Sequence, residues 1–124
     1  MDEYKEFKSK RKEMNEKIFS LHNKQINRLF ALDTAAYQEG ALPIKFKELL
    51  GLATSLVLRC EDCIRYHMIR VVQEGCSDDE IAETLAISLL VGGTIVIPEL
   101  RRAVDDLVKL KEKQNLGESI EDLI

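Results

Sequence analysis

Two stretches of this chain are too apolar for a surface and too short for a membrane. Beyond Glu48, the residues Leu49, Leu50, Leu52, Ala53, Leu56, Val57 and Leu58 follow with no charge before Arg59, and the fifteen residues between Glu83 and Glu99 carry none either. A spanning helix needs about 20 apolar residues, so both runs read as helices buried on several sides. A chain of 124 residues can hardly bury two such helices alone, because a small domain leaves much of its surface in water. The expectation is one domain, residues 1–124, that self-associates.

The rest of the chain repeats with helical period. Tyr4, Phe7, Met14, Ile18 and Leu21 recur at spacings of three, four and seven, which predicts an amphipathic helix from Asp2 to about Leu21. A second run through Ile26, Leu29, Phe30, Leu32 and Ala36 ends near Gly40, which is placed for a left-handed cap ahead of Pro43. A third helix runs from Pro43 or Ile44 to Leu58. The fourth opens at Cys60 with an inward stripe of Cys60, Cys63, Ile64, His67, Met68, Val71 and Val72, and ends near Gly75. Ser77-Asp78-Asp79-Glu80 is a capping box, with Cys76 and Ile81 as its hydrophobic staple, so a fifth helix starts at Ser77. Gly92-Gly93 either breaks that run or lets helices approach closely, before a last helix through Ile95, Val96, Ile97, Leu100, Val104, Leu107 and Leu110. Residues 112–124 read as a polar, loosely held tail. No strand alternation or repeat is present, so the fold class is all-α with about six helices.

Charge and composition exclude several functions. A net charge of -4 gives no electrostatic reason to expect nucleic acid or an anionic membrane as partner. The charged first twenty residues lack the apolar core of a secretory signal, which points to the cytoplasm. With 3 cysteines in a reducing compartment, a structural disulfide framework is not expected, and a close thiol pair is more often catalytic or metal-binding.

Cys60, Cys63 and His67 stand at i, i+3 and i+7 and share one helical face. A cysteine acts as the thiolate, and a helix N-terminus, a neighbouring thiol and an imidazole all favour that form. Glu48 is the odd carboxylate at the head of the apolar third helix. If that helix packs beside the fourth, Glu48 can orient His67 and complete a carboxylate, imidazole and thiol relay; equally, it can serve as a surface acid at a helix N-terminus. Covalent haem attachment fails, since Ile64 and not histidine follows the second cysteine. Zinc held by Cys60, Cys63 and His67, with Cys76 or Glu48 as fourth ligand, is the less favoured reading, because structural zinc sites usually draw ligand pairs from separate segments. Cys76 reads as a buried apolar residue, His22 as a surface or loop residue, Tyr66 as packing and Arg65 as solvent-facing.

Glu48, Cys60, Cys63 and His67, followed by Glu74-Gly75-Cys76-Ser77-Asp78-Asp79-Glu80-Ile81 and Gly92-Gly93, closely resemble the carboxymuconolactone decarboxylase family in its alkyl hydroperoxidase D-like branch. The likeness covers about residues 30–110, leaving 1–29 as an N-terminal helix. It implies an all-helical homo-oligomer, a trimer or hexamer, whose peroxidase or disulfide reductase site needs no metal, haem or other cofactor. By that resemblance Cys63 is oxidised to the sulfenic acid, Cys60 donates a proton and then resolves the disulfide, and His67 with Glu48 moves the proton. The implied partners are a hydroperoxide or protein disulfide as substrate and a dithiol as reductant. In the hydroperoxidase D proteins a histidine precedes the second cysteine, whereas Asp62 stands here, and an anion beside a thiol raises its pKa. The family's decarboxylase branch, which does not need a cysteine pair, and a non-enzymatic zinc-holding oligomer are the alternatives.

Overall fold

The computed structural model describes residues 2–124 and contains no strand among them. Six α-helices follow one another: α1 (Glu3–Phe19), α2 (Lys24–Ala36), α3 (Ile44–Leu58), α4 (Glu61–Gln73), α5 (Asp78–Gly92) and α6 (Ile97–Asn115), with a 3₁₀ turn at Thr94–Val96 before the last. The chain divides into two units, one reaching to Glu39 and including Leu123, the other Gly40–Asp122 with Ile124.

In the first unit, each helix starts on a side-chain cap. The Asp2 carboxylate accepts from the amides of Tyr4 and Lys5 at 3.0 and 2.9 Å, and Asn23 accepts from the Ile26 amide at 2.9 Å. These bonds satisfy amides that have no partner inside the helix. His22, exposed in the turn between the helices, takes a left-handed φ of 52°, a conformation that lets the chain reverse. Phe19 and Phe30 then meet edge to face with ring centres 4.9 Å apart. The expected glycine cap is corrected here: α2 stops at Ala36, Tyr37 closes it in a right-handed conformation, and Gly40 is not left-handed.

The second unit carries the thiol motif. Leu52 and Leu56 of α3, Ile64, Met68, Ile69 and Val71 of α4, Ile81 of α5 and Leu110 of α6 are all at most 2% exposed. α4 lies against both α3 and α6, and α3 also packs on α5. The buried Ser88 hydroxyl of α5 donates to the Ala53 carbonyl of α3 at 3.0 Å. The capping box forms as expected: the Glu80 amide donates to Ser77 Oγ at 3.1 Å, and the Ser77 amide to the Glu80 carboxylate at 2.8 Å. Cys76 and Ile81, the staple pair, are 1% and 0% exposed. Gly93 takes a φ of 83° and breaks the apolar run into two helices.

Two expectations need correction, and one is met only in part. The helix α3, expected to be buried on several sides, leaves Leu50 and Leu58 54% and 77% exposed within the one chain. Its polar Glu48 and Ser55 lie inside instead. The tail is not loose, because Ile120 is 2% exposed and its carbonyl accepts from Gln73 Nε2 at 2.8 Å. One buried apolar residue and one hydrogen bond anchor it there. Arg65 is not a free surface cation; it reaches the buried Asp106 of α6 through Nε and Nη2 at 3.2 and 2.9 Å, a two-pronged bond that fixes how α4 lies on α6.

Candidate functional site

The site begins where α3 ends. Arg59 adopts a left-handed φ of 58°, and the Cys60 amide bonds back to the Ser55 carbonyl at 3.2 Å, so the chain turns sharply and delivers Cys60 as the N-cap of α4. There the sulfur of Cys60 accepts from the Cys63 amide at 3.3 Å. Cys60 and Cys63 are joined as a disulfide, their Cα atoms 5.2 Å apart. Cys60 is half-buried and Cys63 exposed, so the predicted inward stripe holds from Ile64 onward but not at Cys63. A sulfur at this position faces the positive end of the helix dipole, which favours a thiolate on reduction. The flanking Glu61 and Asp62, both exposed, act in the opposite direction.

One turn beyond Cys63, His67 is buried at 9% exposure. Its Nδ1 lies 2.8 Å from Oε2 of Glu48, itself 2% exposed. The expected pairing of the two helices through these side chains is therefore present. With the carboxylate on Nδ1, that nitrogen carries the proton in neutral imidazole, and Nε2 is the one that takes up or gives a proton. The rings of His67 and Tyr66 also meet edge to face, with centres 5.1 Å apart.

Two further residues complete the surroundings of this pair, and sequence reasoning missed both. A Cβ placed on Gly51 would stand 2.6 Å from Cε1 and 2.8 Å from Nδ1 of His67, so the imidazole lies directly on the backbone of α3 and only glycine leaves room for it. Gly51 is one turn after Glu48, on the same face, a spacing that acquires meaning only with α4 packed against it. Arg70, one turn after His67, directs Nε to the other oxygen of Glu48 at 3.4 Å, Nη1 to Gln73 at 2.8 Å and Nη2 to Glu74 at 2.7 Å. Burial opposes the charge on Arg70, but the bond to Glu74 and the nearby charge of Glu48 outweigh it and raise its pKa.

Cys76 belongs to a different place. It follows the C-terminal end of α4, whose thirteen residues separate it from Cys60 by about 20 Å of helix. Burial, and then the charge of Glu80, push its thiol pKa above the ordinary value, which makes it a poor nucleophile and a poor metal ligand. Among the described residues no group of three or more His, Cys, Asp or Glu side chains is arranged to hold a metal ion. Glu48, the alternative fourth ligand of the zinc reading, is turned to His67 and Arg70.

The fold and the site define an all-helical protein with a dithiol–disulfide pair at a helix N-terminus, backed by a buried histidine–glutamate pair. Residues 26–106 match the carboxymuconolactone decarboxylase family, and the chain belongs to it. It is similar to a Thermotoga maritima protein of that family for which a role in the antioxidative response has been suggested, at 54% identity and a TM-score of 0.89, covering 94% of this chain and 98% of that one. A carboxymuconolactone decarboxylase family protein from Legionella pneumophila shares the fold at 23% identity and a TM-score of 0.78, covering 88% of this chain and 97% of that one. An uncharacterized protein of Cupriavidus necator is 36% identical over 59 residues, 48% of this chain and 52% of that protein. The chain thus spans about half the length of that curated relative.

Proposed function

We propose that this protein is a thiol-dependent peroxidase or disulfide reductase of the alkyl hydroperoxidase D-like kind, cycling Cys60 and Cys63 between dithiol and disulfide. The observation that carries this reading is the pairing of those two sulfurs at the head of α4, one turn before an imidazole fixed by a buried carboxylate. The suggested antioxidative role of the Thermotoga maritima relative agrees with it. Decarboxylation gains no support from the paired thiols, for which a lyase has no use.

Cys63 is the more exposed of the two, which suits it to meet the oxidant. The Cys63 thiolate attacks the terminal oxygen of a hydroperoxide; the O–O bond breaks, Cys63 becomes the sulfenic acid, and the leaving alkoxide takes the proton of the Cys60 thiol, which leaves Cys60 as the thiolate and His67 with Glu48 as the relay that supplies the next proton. The Cys60 sulfur then displaces hydroxide from Cys63, which leaves as water with a proton from the relay, and the disulfide forms. An external dithiol returns both cysteines to thiols and becomes a disulfide itself. No metal, haem or organic cofactor enters these steps. Such a cycle suits a reducing compartment such as the cytoplasm, and no described helix is long and apolar enough to cross a membrane.

The test is turnover of cumene hydroperoxide with a dithiol such as dihydrolipoamide. Cys63→Ser should abolish it, and wild-type turnover in that variant would refute the assignment. With the dithiol left out, Cys60→Ser should instead consume one equivalent of hydroperoxide and hold Cys63 as the sulfenic acid for capture by dimedone.

Self-association is part of the proposal. Ile87, Leu90 and Val91 lie on one face of α5 and are 57%, 81% and 72% exposed, with Leu50 and Leu58 of α3 and Ile95 exposed as well. A chain with this much apolar surface in water is best explained by further copies covering it, in keeping with the expected trimer or hexamer.

A further inference from the structure

Behind the histidine–glutamate pair lies a second layer of polar side chains that the catalytic steps above do not use. Glu48 has two carboxylate oxygens. Oε2 is on Nδ1 of His67 at 2.8 Å, and Oε1 receives Nε of Arg70 at 3.4 Å. Arg70 is itself held by two further bonds, Nη1 to Gln73 and Nη2 to Glu74. Gln73 uses its amide oxygen for Arg70 and its amide nitrogen for the backbone carbonyl of Ile120, at 2.8 Å each. A chain of contacts therefore runs from the imidazole through Glu48, Arg70 and Gln73 to the C-terminal segment, where Ile120 is 2% exposed.

We propose that Arg70 is a positioning residue for the histidine–glutamate pair, and that Gln73 and the segment around Ile120 hold Arg70 in place. The proposal deepens the thiol-redox reading and rests on it for its consequence on rate. A carboxylate buried to 2% exposure keeps its charge inside a protein only when cations and donors meet both oxygens. Guanidinium suits the task because its donors are fixed in one plane: with Nη1 and Nη2 pinned by Gln73 and Glu74, Nε has a single direction left, toward Glu48. Without that contact, Glu48 can turn about its own side-chain torsions, and His67 loses the orientation its neighbours impose. Arg70 thus acts through Glu48 and not on the sulfurs.

Two readouts separate positioning from chemistry. The first is the ring of His67 in ¹⁵N-labelled protein, where a proton on Nδ1 bonded to carboxylate gives a strongly downfield resonance. The second is the rate of Cys60–Cys63 disulfide formation when reduced protein meets cumene hydroperoxide. Arg70→Met should shift or broaden the resonance and slow the disulfide about 10-fold or more, the scale on which a misplaced group costs rate. A resonance that moves in Arg70→Met, with no disulfide formed by the wild type, supports the positioning role and refutes the redox reading. A wild-type resonance in folded Arg70→Met overturns the positioning role, whatever peroxide does. Should Arg70→Met fail to fold, Gln73→Met decides, since it leaves both carboxylates their cation: a shifted or broadened His67 resonance supports the proposal, and an unmoved resonance overturns it.

Discussion

Glu48 is 2% exposed at the edge of the uncharged part of α3, a position where an unpaired carboxylate would cost several kcal/mol. It is tolerated because His67 and Arg70 each take one of its oxygens. His67 in turn depends on a missing side chain, since a Cβ at residue 51 would stand 2.6 Å from the ring. Gly51→Ala should therefore push the imidazole off Glu48, destabilise the fold by about 1–3 kcal/mol through overpacking, and remove most of the peroxide-driven disulfide formation. Denaturant melts and stopped-flow thiol loss measure the two effects, and a fully active Gly51→Ala would show that the observed ring position is not required. Glu48 was legible in the sequence because it is a carboxylate at the edge of an apolar run, and Cys60, Cys63 and His67 because their spacing is local. Gly51 and Arg70 were not: a glycine in a helix and an arginine one turn past a histidine acquire meaning only once α3 and α4 are known to touch there.

At the scale of elements, the start of α5 is tied to the start of α3. Glu80 closes the capping box with Ser77 and also meets Lys45 Nζ at 2.8 Å. These partners hold its carboxyl below the ordinary value of 4.5, first through Lys45 and then through the Ser77 amide. A carboxyl depressed in the folded state adds stability above its unfolded pKa, and that contribution is lost as the pH falls through the folded pKa. Stability should thus drop below about pH 4.5, and the drop should be smaller in Lys45→Met, as thermal melts between neutral and acid pH would show. Equal acid sensitivity in both proteins would exclude this clasp as a contributor. Ser77→Ala should cost about 1 kcal/mol at neutral pH. This helix start was legible because a capping box is local chemistry. The end of α2 was misplaced, since a turn closed by Tyr37 has no special residue to announce it, and the anchored tail was missed because the partner of Ile120 is Gln73, 47 residues away.

At the scale of the whole molecule, the all-helical fold followed from periodicity alone, while how much of each helix is buried did not. Periodicity says which residues share a face and nothing about whether the partner is this chain or another. Leu90 at 81% and Leu58 at 77% exposure mark surfaces that a second copy is expected to cover, so light scattering should give a multiple of 14.2 kDa. Leu90→Glu should lower that mass, because a buried unpaired charge at such an interface costs several kcal/mol. A wild-type mass equal to one chain at micromolar concentration would refute self-association. The central claim, that Cys60 and Cys63 form a working redox pair, is tested most directly by weighing the protein. Fully reduced chain is mixed with cumene hydroperoxide, quenched with a thiol-alkylating reagent and measured by mass spectrometry. The dithiol cycle predicts the loss of two alkylatable thiols, a disulfide mapped to Cys60 and Cys63, and an unreacted Cys76. Retention of all three thiols, or oxidation confined to Cys76, would contradict it.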